Sequence, residues 1–321
     1  MTLVAPKTAS GPAMSQTSSP VRPRPRRPLS ENTYGYLFLA PWLIGLVVFM
    51  AGPTLVSLYL SFTNFNLLQP PKWVGAGNYT TLFLHDPRYR QALRVTFTYV
   101  AVAAPLNLVF ALLLAMLLNT RIRGVGIYRA VYYVPSLLGG SVAIAILWQQ
   151  IFGLGGIFGQ IVGFFGVHDS SWVSNPKQAL WTLIILHVWQ FGSPMIIFLA
   201  GLKQIPGELY EAAAIDGASK LRQFWVITVP MLTPVIFFNL VLQIINSFQA
   251  FTPAFIVSGG KGGPLDATLF YTLYLYIQGF ANFRMGYASA MGWLLLIIIA
   301  VLTGIAFLSS RYWVHYEDGG R

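Results

Sequence analysis

The side chains in this sequence best suited to chemistry are amides, and four of them share one helical face. Asn239, Gln243 and Asn246 are spaced by four and three residues, and Gln249 continues the same side. A single amide inside an apolar run usually ties one helix to another. A stripe of four suits a hydrated path, along which amides trade hydrogen bonds with a hydroxyl-rich solute. Two other places join amides to indoles, Trp148-Gln149-Gln150 and Trp189-Gln190. Indole faces can stack on sugar rings while the amides bond hydroxyls, although aromatics that sit at a membrane interface carry the same signature.

Other chemistries fail on spacing. His85, His168, His187 and His315 fall on separate segments, with no metal-ligand pair on one helix and no triad. His187 lies in an apolar run, where it either lines a path or is satisfied at a helix interface. Cysteine is absent, which excludes disulfides and thiolate zinc sites. Gly259-Gly260-Lys261 is not a phosphate loop, because Phe255 occupies the first glycine position and Gly262 follows the lysine. Asn78-Tyr79-Thr80 is formally a glycosylation sequon and is read as turn chemistry. The net charge of +11 comes without an interleaved basic and aromatic patch, so nucleic acid is not expected. The sequence predicts no catalytic residue, no metal and no cofactor on this chain; it is not expected to be an enzyme.

The elements that must position the amides are membrane helices. Of 321 residues 55% are hydrophobic and only 9% charged, against about 25% charged in a soluble domain. Six runs free of Asp, Glu, Lys and Arg exceed the roughly 20 residues a crossing needs. They predict an all-α polytopic membrane protein with six transmembrane helices at about 36–62, 94–118, 128–152, 178–201, 231–257 and 286–309. The Gly-rich stretch 153–167 is read as an outer loop or a helix lying on the surface, and 258–264 as a turn-rich outer loop. With the amino terminus inside, 13 Lys and Arg fall on inner segments and 7 on outer ones, which favours both termini in the cytoplasm. Residues 1–33, rich in Pro, Ser, Thr and Arg, read as a disordered cytoplasmic tail, and 317–321 as a second short tail.

One segment breaks the apolar pattern. The loop 203–230 packs Glu211, Asp216, Lys220 and Arg222 into 211-EAAAIDGASKLR-222. Pro206 suits a helix start, Glu208 and Glu211 favour its positive end, and Gly217 stops it in the left-handed conformation. Asp216 is expected to cap a second short helix over about 218–225, with Pro230 and Pro234 opening the fifth span. Ala212, Ala213, Ala214 and Ala218 leave a smooth surface that another protein could approach.

This segment resembles the EAA motif of permease subunits from ATP-binding-cassette importers: EAA, three residues, G, nine residues, I-x-L-P. Glu211, Ala212, Ala213, Gly217, Ile227 and Pro230 match, and Val229 replaces the usual Leu. With 73-WVGAGNYTTLF-83 and 286-GYASAMGW-293, residues from about 34 to 316 look like the sugar-permease group that includes the maltose, lactose and glycerol-phosphate permeases. The chain departs from that group at 258-SGGKGGPLDAT-268, where a shorter turn is usual.

The resemblance implies a type I importer permease fold in the cytoplasmic membrane, over 34–316, with Glu211, Ala212, Ala213, Asp216, Gly217, Ala218 and Pro230 coupling to an ATPase. It also implies a second permease subunit, two ATPase subunits that bind ATP and Mg, an extracytoplasmic solute-binding protein and a sugar-like substrate. The alternative is a stand-alone ion- or proton-coupled transporter. Such proteins place acidic residues within spans, and these six spans lack Asp and Glu.

Overall fold

The computed structural model describes residues 31–120, 122–164, 166 and 171–315. Most of the expected amino-terminal tail, Arg121, His168 and the expected carboxyl-terminal tail lie outside the described residues. The described residues up to Pro53 form one compact unit and those from Thr54 another. In the first, α1 (Glu31–Gly45) continues into a π-helical stretch at Leu46–Ala51, so residues 31–33 already belong to a helix. α2 (Gly52–Ser61) completes an apolar helix over Gly35–Ser61.

The second unit is a bundle around one long helix. After the short α3 (Gly77–Thr80), α4 (Pro87–Leu118) runs 32 residues and packs against α8, α9, α12 and α14. The remaining helices follow in order: α5 (Val125–Leu138), α6 (Val142–Phe152), α7 (Ile157–Phe164), α8 (Ala179–Trp189), α9 (Gly192–Gln204) and α10 (Gly207–Ile215). Then come α11 (Lys220–Gln223), α12 (Val229–Phe248), α13 (Thr252–Val257), α14 (Tyr271–Tyr276) and α15 (Met285–Trp313). Among the described residues five helices are long and apolar enough to cross a membrane, and α8 with α9, bent by 42°, makes a sixth if the pair is one span.

Three expected elements differ. The third span is not one helix over 128–152: it stops at Gly139-Gly140, and Ser141 caps a new helix by accepting from the Ile144 amide at 3.3 Å. The stretch that is long and apolar enough there is Val142–Phe164, and of the two readings of 153–167, loop or helix, Ile157–Phe164 takes the helical one as α7. The fifth expected helix, 231–257, breaks after Phe248 and restarts at Thr252. Finally, α14 occupies a stretch that carried no expected helix.

The motifs flanking the EAA segment meet at the end of α2. Asn78 Nδ2 donates to the Ser61 and Thr63 carbonyls, both at 2.8 Å, which is the role of the apparent sequon residue here. Gly286 donates to the Phe65 carbonyl at 3.0 Å, and a Cβ on Gly286 would lie 2.0 Å from the Thr63 oxygen, so only glycine fits.

At the same end Asp86 caps α4 by accepting from the Tyr89 amide at 3.0 Å. It also accepts from the hydroxyls of Tyr274, at 2.6 Å, and Tyr287. Burial opposes ionisation of this carboxyl, but the donated hydrogen bonds outweigh it and hold its pKa below the ordinary value. Arg88 forks onto Asp266 at 2.8 and 2.6 Å, clasping the 258–268 loop, where Leu265 and Asp266 hold positive φ of 53° and 57°.

Candidate functional site

Two buried apolar cores stack along the bundle, with a polar seam between them. On α4 the first core ends at Ala103 and the second begins at Leu108; on α8 and α9 the limits are Ile184 and Phe191. On α12 they are Phe248 and Leu232. Asn107, His187, Gln190 and Gln243 occupy the seam.

Here three helical connections break at one level. Gly139–Ser141 separates α5 from α6, Gln190-Phe191 separates α8 from α9, and Gln249–Phe251 separates α12 from α13. Irregular backbone at membrane depth persists only where protein or a wet cavity satisfies it. Here protein side chains meet the breaks, and a polar-lined cavity opens beside them. The Gln190 side chain crosses Gly139, donating to its carbonyl at 3.1 Å, and a Cβ on Gly139 would lie 2.2 Å from Gln190 Cγ. Ser136 Oγ donates to the Gln190 carbonyl at 3.0 Å and accepts from the Ser193 amide at 3.1 Å.

A cavity of about 330 Å³ opens among these breaks. Tyr99, Asn107, Ser136, His187, Gln190 and Ser193 line it from one side, and Gln243, Asn246, Gln249 and Thr252 from α12 and its break. No Asp, Glu, Lys or Arg reaches the wall among the described residues.

The hydrogen-bond directions within the seam follow from one end. Asn107 Nδ2 donates to the His187 carbonyl at 2.7 Å, which can only accept, so Asn107 Oδ1 must accept. Gln243 Nε2 therefore donates to it at 3.1 Å and turns Oε1 to His187, 3.1 Å from Nε2. That ring nitrogen carries the proton, with Ser247 Oγ a further neighbour at 3.4 Å. With Gln243 fully engaged, Asn246 and Gln249, both exposed on the wall, are the amides free to meet a solute.

The expected path residues thus divide. Gln190, Gln243, Asn246 and Gln249 converge on one cavity, while Asn239 and Trp189 are off its wall. Trp189 packs on Trp148 with ring centroids 5.7 Å apart, and the Trp148 indole donates to the Thr182 carbonyl at 2.9 Å. The two rings pack on each other, tilted at 38°. Gln149 and Gln150 line a separate cavity of about 450 Å³ beside Gly153–Gly156. Asn107 and Ser136 were not singled out in the sequence, though Asn107 carries the same signal as the α12 stripe, an amide inside an apolar run.

The EAA segment forms a second site. Gly217 holds φ of +78°; its amide bonds the Ala214 carbonyl at 3.1 Å, and the Ala218 amide bonds Ala213 at 2.9 Å. This pair of bonds is a Schellman stop. Asp216 ends α10 and does not cap the next helix. Ser219 does so, accepting from Arg222 N at 3.4 Å, because its extended backbone can turn the hydroxyl onto the new first turn. The second helix is also not short. It runs from Lys220 through a π-helical stretch at Phe224–Thr228, with Pro230 in the first turn of α12, and stays helical to Phe248. Tyr210 and Thr228 hydroxyls bond at 2.9 Å, holding α10 against it. Glu211, Ala212, Asp216 and Gly217 are exposed, Ala213 and Ala218 half-buried, and Ile215 is 87% exposed at the tip.

Residues 108–314 match the family described as binding-protein-dependent transport system inner membrane component. The chain belongs to this family. It is 52% identical over 289 residues to the probable ABC transporter permease protein YesP of Bacillus subtilis (strain 168), covering 90% of this chain and 94% of that protein. It is 34% identical to the lactose transport system permease protein LacF of Rhizobium radiobacter, covering 86% and 94%. The fold is shared with a crystal structure of a bacterial alginate ABC transporter in complex with an alginate pentasaccharide-bound periplasmic protein, at TM-score 0.72, 22% identity and coverage of 87% and 94%. A member of this family is a multi-pass transport component.

Proposed function

We propose that this chain is the permease subunit of an importer that carries a sugar or related polyol across the cytoplasmic membrane, driven by ATP hydrolysed on separate subunits. The observation that carries the reading is the uncharged cavity of amides and hydroxyls at three coincident helix breaks. Amide and hydroxyl walls bond sugar hydroxyls without the cost of burying a charge. The lactose permease and the alginate-transporter structure extend the same reading by similarity.

In this scheme both termini are cytoplasmic, and so is the EAA bend. A second permease subunit completes the path, two ATPase subunits hold ATP and Mg, and a solute-binding protein delivers the sugar from outside. Glu211, Ala212, Ala213, Asp216, Gly217, Ala218 and Pro230 form the docking face. Because the helix is continuous from Lys220 to Phe248, displacement at the bend reaches Asn246 along it, and Gln249 at the break that follows. Stand-alone ion-coupled transporters often carry a carboxylate on the path, and the cavity wall offers none among the described residues.

The test is co-purification of the detergent-solubilised chain followed by uptake in vesicles. Recovery of an ATPase, with ATP-dependent uptake of an oligosaccharide bound by the partner solute-binding protein, supports the reading. Uptake driven by an ion gradient without ATP overturns it.

A further inference from the structure

The four amides of α12 are not equivalent. Gln243, Asn246 and Gln249 reach the cavity wall, and Asn239 does not. Asn239 is 1% exposed, and its Nδ2 has no acceptor among the described residues. It lies on the same face as Gln243, four residues nearer the EAA bend, which is about 6 Å along the axis. Its neighbours along α12, Ile236 and Leu240, pack against the second apolar core. Gln243 does not supply one: its oxygen faces His187 and its nitrogen donates to Asn107.

A buried donor without an acceptor is costly, and an apolar side chain of similar volume would serve packing better. An amide at this place fits a second arrangement of the bundle, one in which the donor finds a partner. We propose that Asn239 is an occluded second step of the solute path. When the inner core parts, its amide meets the hydroxyls of a sugar leaving the Asn246 and Gln249 wall. The inference rests on the cavity being the path, and adds that the path continues through the inner core along the same face of α12.

The chain has no cysteine, so a single introduced thiol is the only one on this subunit and its label is read on this subunit's own band. Asn239→Cys, Asn246→Cys and, in the first core, Ala92→Cys are prepared in the complete complex and treated with a membrane-impermeant maleimide from the EAA side. Each is measured without nucleotide and with Mg-ATP plus vanadate. Asn239→Cys should react about tenfold faster without nucleotide than in the trapped state, with Ala92→Cys slow in both. Asn239→Cys as slow as Ala92→Cys in both states, with Asn246→Cys reactive, overturns this inference and leaves the cavity reading intact. Ala92→Cys opening in step with Asn239→Cys also overturns it, because the bundle would then be loosening as a whole. Failure of Asn246→Cys to react in either state removes the path itself. If Asn239→Cys does not accumulate, hydroxyl-radical footprinting of the unaltered chain over 236–242 decides the same question. Oxidation that changes with nucleotide supports the step, and oxidation that does not overturns it.

Discussion

The cavity and the EAA bend are held together in opposite ways. The bend is local: a Schellman stop at Gly217, a Ser219 cap and a Tyr210–Thr228 bond all fall within 19 residues of chain. The cavity is distributed, since its central hydrogen bonds join Asn107 to Gln243, 136 residues apart, and Gln243 to His187, 56 apart. The bend leaves its polar groups in water, where losing one costs little. The cavity network is largely buried, where an unpaired group finds fewer partners than in bulk water. Damage at the cavity should therefore appear as instability, and damage at the bend as lost communication.

Gln243→Leu breaks this contrast most severely. It strands Asn107 Oδ1 and leaves the His187 Nε2 proton only the more distant Ser247 Oγ, at about 1–3 kcal/mol for a group left unpaired. The expected result is a large fall in the thermal midpoint of the detergent-solubilised chain. A midpoint unchanged by Gln243→Leu would mean that the seam is not a closed network.

Ser219→Ala comes next. Loss of a cap costs about 1 kcal/mol of helix stability, and here the helix start lies at the bend. Hydrogen exchange should rise over 219–223 while amides of α4 keep their protection. Equal loss in both places would contradict the local character of the bend.

Asn246→Leu and Gln249→Leu sharpen the contrast from the other side. Both positions are exposed on the cavity wall, so stability should stay within about 0.5 kcal/mol. Uptake should fall several-fold as amide hydrogen bonds of roughly 0.5–1.5 kcal/mol are lost. Unchanged uptake in both would reduce the stripe to helix packing.

Acid separates a third region from these two. The Asp86 carboxyl has its folded pKa lowered, so its stabilisation is complete above the ordinary carboxylate value and is lost as pH falls through the folded one. Hydrogen exchange at the start of α4 and in α14 should rise in acid, with smaller change at the bend. Asp86→Asn should flatten that dependence.

What the sequence disclosed follows the same divide. The Gly217 stop was legible because a Schellman turn is written in consecutive residues, and the apolar runs gave the helices because hydropathy is additive along a span. The Ser219 cap was missed in favour of Asp216 because both residue types cap helices, and only backbone conformation separates them. The helix breaks at 139–141 and 249–251 were invisible because glycine and polar residues are tolerated inside apolar helices, and a break matters only when others meet it. Asn239 and Gln243 look alike in the stripe, and only the partners brought by α4 and α8 distinguish a satisfied amide from an unpaired one.

The most direct test of the link between the two regions is substrate-stimulated ATP hydrolysis by the reconstituted complex carrying Gly217→Val. Nothing lies within 4 Å of a Cβ there, but φ of +78° costs an L-residue roughly 1–2 kcal/mol, more when β-branched. Stimulation should be lost, with the ATPase either released or bound and unresponsive, while Glu211→Ala keeps most of it. Wild-type stimulation by Gly217→Val at normal expression would show that the bend only connects two helices.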